Sequence, residues 1–209
     1  RQQYPVTLLY ERDVQTAAAA RNRGIRHARG EIIAFTDADC APQPDWLSQL
    51  VLPFRQPQVV GTVGEVLSVG SGGLLQDFQA ELRPMHSRQI EGLWYIVTAN
   101  AAFRRDALLA AGLFQSNLFP GEDIDLGLRL QLKGFGRIEG ALQAVVQHPF
   151  EGTWADLCKR FRSYGYSEIL LDTLYRNEPA YFKSPRKQLA IMLRQLKALV
   201  VYALSFVYR

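Results

Sequence analysis

Glu31-Ile32-Ile33-Ala34-Phe35-Thr36-Asp37-Ala38-Asp39 is an apolar, β-branched run that stops on two aspartates. Apolar runs of this length bounded by polar residues read as buried strands. Upstream, Ala17–Ala20 open a helix running to about Ala28, because alanine is the best helix former, with Asp13 as the expected cap and Gly30 as the stop. Before it, Val6–Tyr10 reads as a short buried strand. Downstream, Pro42 and Pro44 mark a turn, and Pro44-Asp45 suits the first turn of a helix to about Phe54.

The same reading continues along the chain. Val59–Val69 predicts a strand or strand pair interrupted by Gly61 and Gly64, and Leu74, Leu75, Phe78, Leu82 and Met85 recur at helical spacing. Thr98–Phe103 predicts a strand, Arg105–Ala111 a helix stopped by Gly112, and Gln115–Gly121 a loop. Asp123–Lys133 predicts a helix with Ile124, Leu128 and Leu132 on one face and Gly134 as its stop. Ala141–Gln147 predicts another strand, and Thr153 with Asp156 has the spacing of a capping box. Strands alternating with helices predict an α/β sandwich with a mostly parallel central sheet, whose ligands bind beyond the C-terminal strand ends.

Composition narrows the function classes. Lys and Arg total 24 against 20 Asp and Glu, a net charge of +4. So mild and scattered a bias suits an anionic small molecule or a membrane surface and gives no argument for nucleic acid. Cys40 and Cys158 stand far apart without C-x-x-C spacing, which supports neither a disulfide framework nor a zinc knuckle and favours reduced cytosolic thiols. Leu199–Tyr208 is an apolar run, about half of the roughly 20 residues needed to span a bilayer. It follows Arg186, Lys187, Arg194 and Lys197, so a helix lying on the inner face of a membrane is one expectation and a helix packed on the domain another.

Several residues can carry chemistry. In an extended chain Asp37 and Asp39 point to one side, and hard carboxylate oxygens at a strand end suit Mg²⁺ or Mn²⁺ together with phosphate oxygens. With ten aspartates in 209 residues, roughly half a D-x-D pair arises by chance, so the strand-end setting gives the motif its weight. Gly121-Glu122-Asp123-Ile124-Asp125 places three acids at a helix start, more than the helix dipole needs, which leaves one available as a general base. His148 ends a strand before Pro149, where it is either an ordinary surface histidine or a third metal ligand. Arg21 is either a solvated helix residue or a nucleotide contact. Trp94, Tyr95 and Trp154 can stack on sugar rings, but buried aromatics are commoner; His27 and His86 take no role.

Taken together, Ala19-Ala20-Arg21-Asn22-Arg23-Gly24-Ile25, Ala28 to Asp39, Asn100-Ala101-Ala102-Phe103-Arg104-Arg105, Gly121 to Leu130, His148 and Arg160–Gly165 resemble the family 2 glycosyltransferases with a GT-A fold. The resemblance spans about residues 13 to 166. It implies a GT-A-like three-layer sandwich that moves a sugar from a nucleotide-diphosphate donor to an acceptor hydroxyl, inverting the anomeric carbon in one in-line displacement. It implies that Asp39 and His148 hold Mn²⁺ or Mg²⁺, with Asp37 on the metal or the ribose. Arg21 would contact the nucleotide, Asn100 would line the donor-sugar pocket, Asp123 would be the base, and Glu122 would orient a substrate.

The family opens with a strand, helix and strand that build a nucleotide-base pocket, and nothing before Val6 supplies them. The expectation is therefore a truncated transferase domain over residues 1–170 and a helical extension over 171–209. The acceptor would be a carbohydrate, a lipid-linked or another hydroxyl. The Q-x-x-R-W motif of processive polysaccharide synthases is absent, Arg160-Phe161-Arg162-Ser163-Tyr164 standing in its region. A catalytically silent nucleotide-sugar- or carbohydrate-binding module on the same scaffold is the alternative. A nucleotidyltransferase is disfavoured by the lack of a Gly-rich phosphate loop.

Overall fold

A computed structural model describes residues 6–69, 75, 86–90, 92–118, 120–149 and 153–181. In chain order the elements are α1 (Ala17–His27), β1 (Ile32–Thr36), β2 (Ala41–Pro42), α2 (Trp46–Val51) and a 3₁₀ turn (Leu52–Arg55). Next come β3 (Val59–Val69), β4 (Arg88–Ile90), β5 (Leu93–Tyr95), β6 (Asn100–Arg104) and α3 (Arg105–Ala110). The series closes with α4 (Glu122–Leu132), β7 (Arg137–Pro149), α5 (Trp154–Tyr175) and a 3₁₀ turn (Pro179–Tyr181). The helix expected over 74–85, apart from Leu75, and residues 182–209 of the expected C-terminal extension lie outside the described residues. Among the described residues, no helix is long and apolar enough to cross a membrane.

The main sheet has the order β1-β6-β3-β7-β2. Strands β1, β3 and β7 run in one direction, as the expected mostly parallel sheet requires, while β6 and β2 oppose them. Among the described residues, direct parallel pairing occurs only between β3 and β7, because β6 enters antiparallel between β1 and β3. Alternation along the strands assigns the two faces. Ile33, Phe35, Ala101 and Phe103 pack with Ala18 and Ile25 of α1, Leu108 of α3 and Leu126 and Leu130 of α4. Ile32, Ala34 and Ala102 face the other way, onto Leu50 and Phe54. The result is a three-layer α/β sandwich whose parallel strands all end on one edge.

Local chemistry corrects some expected boundaries. Thr16 rather than Asp13 caps α1, its hydroxyl accepting from the Ala19 amide at 3.2 Å. Val6–Tyr10 is not a strand: Val6, Leu8 and Tyr10 are exposed, with no ladder partner among the described residues. Pro42 belongs to β2, which pairs with Gln147 and Val146 of β7. The short hairpin β4–β5 has no counterpart in the sequence reading. The capping box of α5 forms as its spacing predicts, with Thr153 and Asp156 bonding reciprocally.

Gly64 sits where the β3–β7 register shifts, between Val63↔Gly140 and Glu65↔Val145. A Cβ there would stand 2.3 Å from Asn100 Nδ2 and 2.4 Å from the Ala144 carbonyl oxygen. Glycine leaves the room that the Asn100 side chain fills.

Candidate active site

The turn after β1 is held against the end of β7. The Cys40 amide donates to the Asp37 carbonyl at 3.1 Å, turning the chain as it leaves the strand. Ala41 then pairs with Gln147, and the Gln43 amide donates to the Val145 carbonyl at 3.0 Å. This stitching brings residues 109 positions apart together: Asp39 Oδ2 lies 3.5 Å from His148 Nε2. The imidazole is mostly buried, 12% exposed, while the carboxylate is 57% exposed and open to a ligand. Cys40 joins them, with the three donor atoms all within 4.8 Å of one another.

These residues fit a divalent cation. Two donors 3.5 Å apart can both reach one ion through bonds of about 2.0–2.2 Å, and a carboxylate with an imidazole suits Mn²⁺. Asp39 is the exposed member of the pair, so an ion held there would stay accessible to phosphate oxygens from that side.

Asp37 is not part of that cluster. The two-residue alternation that would align it with Asp39 ends with the strand at Thr36, and its carboxylate turns to Arg21, with Oδ1 and the guanidinium 3.7 Å apart. Arg21 reaches across to Glu122 as well, donating to Oε1 at 2.8 Å. Its guanidinium lies over the Phe114 ring, 5.7 Å from the centroid. Phe114 is fixed by Asn22, which accepts from the Phe114 amide at 2.9 Å and donates to its carbonyl at 2.8 Å. Arg21 therefore ties the first acidic turn to the tip of α4.

At that tip Glu122 is buried, 4% exposed, and also accepts from the Gly121 amide at 3.1 Å. Asp123 accepts from the Ile124 amide at 2.9 Å and from the Thr98 amide at 3.4 Å. Burial, reinforced by the Glu122 charge, lifts the Asp123 carboxyl from 3.8 to about 6, against the lowering pull of those amides and of Arg21. Burial also raises the Tyr164 phenol on α5, and the Asp123 charge adds to that rise. Tyr164 therefore stands within the electrostatic reach of Asp123; its sequence signal is its place in the Arg160–Gly165 stretch.

Asp125 does different work. It pairs with Arg129 at 2.7 Å and accepts the Tyr175 hydroxyl, while Arg129 also donates to the Leu113 carbonyl at 2.6 Å. It locks α4 to α5 and to the turn after α3.

Asn100 is fully buried. Its Nδ2 donates to the carbonyls of Glu65 (2.8 Å) and Ala144 (2.7 Å), and its Oδ1 accepts from Trp46 Nε1 at 2.8 Å. Instead of presenting an atom to a donor sugar, it satisfies the carbonyls at the β3–β7 register shift and sets the floor beneath the edge. Tyr95 is buried against Tyr181, and Trp94 is half-buried beside Gly140, as the packing reading expects; Trp154 is exposed.

Comparison with known proteins gives the arrangement a lineage. The glycosyl transferase family 2 profile matches residues 2–110. The chain is 27% identical over 186 residues to a pre-mycofactocin glycosyltransferase of Mycobacterium tuberculosis, covering 84% of this chain and 39% of that protein. It is 28% identical over 157 residues to the glycosyltransferase AglE of Haloferax volcanii, covering 74% and 51%. The chain thus spans between two fifths and one half of these curated relatives. A solved structure of GalNAc-T7 with UDP, GalNAc and Mn²⁺ aligns at a TM-score of 0.49 and 18% identity, over 66% of this chain and 31% of that one. With the strand-end aspartates and Asn100 inside the matched span, the chain belongs to glycosyl transferase family 2.

Proposed function

We propose that this protein transfers a sugar from a nucleoside-diphosphate donor to an acceptor hydroxyl, with inversion at the anomeric carbon. One observation carries the reading: Arg21 joins Asp37 to Glu122, so the Asp39–His148 pair and the Asp123 tip belong to one edge of the sheet.

In this reading Asp39 and His148 hold the cation. The chemistry a divalent ion would supply there is positive charge to offset the negative charge developing on the leaving diphosphate. Asp123, unprotonated above about pH 6, takes the proton of the acceptor hydroxyl, a poor nucleophile on its own. The acceptor oxygen bonds to the anomeric carbon from the face opposite the leaving group, and the departing phosphate oxygen keeps the electron pair of the broken bond. Arg21 and the Gly121 amide hold Glu122 beside the base, where it orients the acceptor and sharpens the rise in the Asp123 pKa.

The acceptor is a carbohydrate or lipid-linked hydroxyl, reached at the cytoplasmic side of a membrane. Turnover of a panel of nucleotide sugars with Mn²⁺ and candidate acceptors, in the wild type, Asp39→Ala and Asp123→Asn, tests the proposal. Transfer by the wild type and loss in both variants supports it. Nucleotide-sugar binding without turnover of any acceptor overturns it in favour of a silent binding module.

A further inference from the structure

The family reading leaves Cys40 without a task, yet its sulfur stands with Asp39 and His148, all three donor atoms within 4.8 Å of one another. We infer that Cys40 is a third protein ligand and makes this edge a site for a thiophilic divalent ion of the Zn²⁺ class. The inference shares Asp39 and His148 with the proposed transfer site but holds whether or not sugar transfer occurs.

The geometry allows it with little movement. Tetrahedral Zn²⁺ with Zn–S bonds of about 2.3 Å and Zn–N or Zn–O bonds of about 2.0–2.2 Å places its donors about 3.3–3.6 Å apart. Asp39 and His148 already stand 3.5 Å apart. The Cys40 sulfur lies within 4.8 Å of both, so little more than about 1 Å separates it from that spacing. The backbone holds Cys40 in place, since its amide is bonded to the Asp37 carbonyl and β2 begins at the next residue.

Donor chemistry sets the preference. A carboxylate and an imidazole accept Mg²⁺, Mn²⁺ or Zn²⁺, whereas a thiolate strongly favours borderline and soft ions over Mg²⁺. Cys40 is half-buried and packs against the apolar cluster of Val66, Ala99 and Val146, which limits competition from water on that side of the sulfur. On binding, the S–H bond breaks, its electron pair forms the S–metal bond and the proton passes to buffer. Three protein ligands leave one position open, the pattern of a zinc site that still takes an exchangeable ligand.

The test uses the full, reduced chain without donor or acceptor, titrated with Co²⁺ as a spectroscopic stand-in for Zn²⁺. The expected result is a near-ultraviolet sulfur-to-cobalt charge-transfer band in the wild type that Zn²⁺ displaces. It should be lost in Cys40→Ser and kept in Cys158→Ser, the other cysteine being exposed on α5. By calorimetry, Cys40→Ser and Cys40→Ala should each weaken Zn²⁺ binding about tenfold or more while leaving Mn²⁺ affinity within about twofold. Circular dichroism establishes that each variant is folded. The inference is overturned if the wild type shows no sulfur band, if the band survives in Cys40→Ser, or if Cys158→Ser abolishes it. Mn²⁺-supported transfer without a sulfur band would sink this inference and leave the proposed function standing.

Discussion

The guanidinium of Arg21 donates to the buried carboxylate of Glu122 at 2.8 Å, across 101 positions of sequence. The same side chain faces Asp37 at 3.7 Å. One cation thus sets the positions of two acids on different elements, and a planar, forked group can serve both where a point charge cannot.

Replacing Arg21 with alanine leaves Glu122 charged, buried and without its cation. Breaking a buried pair in this way costs about 3 kcal/mol, so urea unfolding of Arg21→Ala should show a lower midpoint at pH 7. Arg21→Lys should recover only part of the loss, because an ammonium cannot bond both acids in the same geometry.

The raised Asp123 pKa has two opposite signatures. Base catalysis needs the carboxylate, so transfer should fall about tenfold per pH unit below about pH 6 and level off above it. Stability runs the other way. The native state binds this proton more tightly than the unfolded chain, so its contribution is complete below 3.8 and lost as pH rises through about 6. Asp123→Asn should therefore melt higher than the wild type at pH 7–8 and lose that advantage at pH 4, while remaining inactive throughout. Thermal scans across this range check the sign.

Asn100 is filled by three partners, two of them carbonyls that need a donor. Asn100→Leu strands all three, at about 1–3 kcal/mol each before relaxation. Asn100→Asp should be no milder than Asn100→Leu, since a carboxylate cannot donate to the Glu65 and Ala144 carbonyls. Gly64→Ala should also destabilise, because its methyl would overlap the Asn100 amide and the Ala144 oxygen. Denaturant midpoints of the three variants, with circular dichroism to confirm folding, test this.

Tyr175→Phe removes the hydroxyl that bonds Asp125 while keeping the ring. The expected loss is about 1–2 kcal/mol, read by urea unfolding. Its Mn²⁺ affinity should be unchanged, because the lost hydroxyl acts on Asp125 and not on the Asp39–His148 pair.

Local chemistry made much of this molecule legible in the sequence. The Ile32–Thr36 run, the Thr153–Asp156 box and the Gly134 stop each act within a few residues, and each forms close to where the pattern places it. Long-range pairing was harder to read. Nothing in Asn100–Arg104 states that it enters the sheet antiparallel between β1 and β3, and three-residue strands such as β4 and β5 carry too little periodicity to detect. The site divides in the same way. Asp39 and His148 announce themselves as strand-end residues, but the turn that swings Asp37 toward Arg21 depends on β2 pairing with β7. Its motif marks Asn100 in the sequence, and only the register shift beside Gly64 explains why it is buried. Cys40 gives no signal in the chain because His148, which completes the cluster with the neighbouring Asp39, reaches it only in three dimensions.

Gly121 adopts a φ of 113°, and a Cβ on it would stand 2.2 Å from Ser167 Oγ on α5. Sequence drift at these two positions is consequently coupled. A descendant of this chain can abandon glycine at 121 only by accepting backbone strain and a change at Ser167, whose hydroxyl would have to turn away or be lost, on the helix that also carries Tyr164. The acidic tip and the helix above it are heritable as a unit, so a graft of either one between relatives must bring the other along.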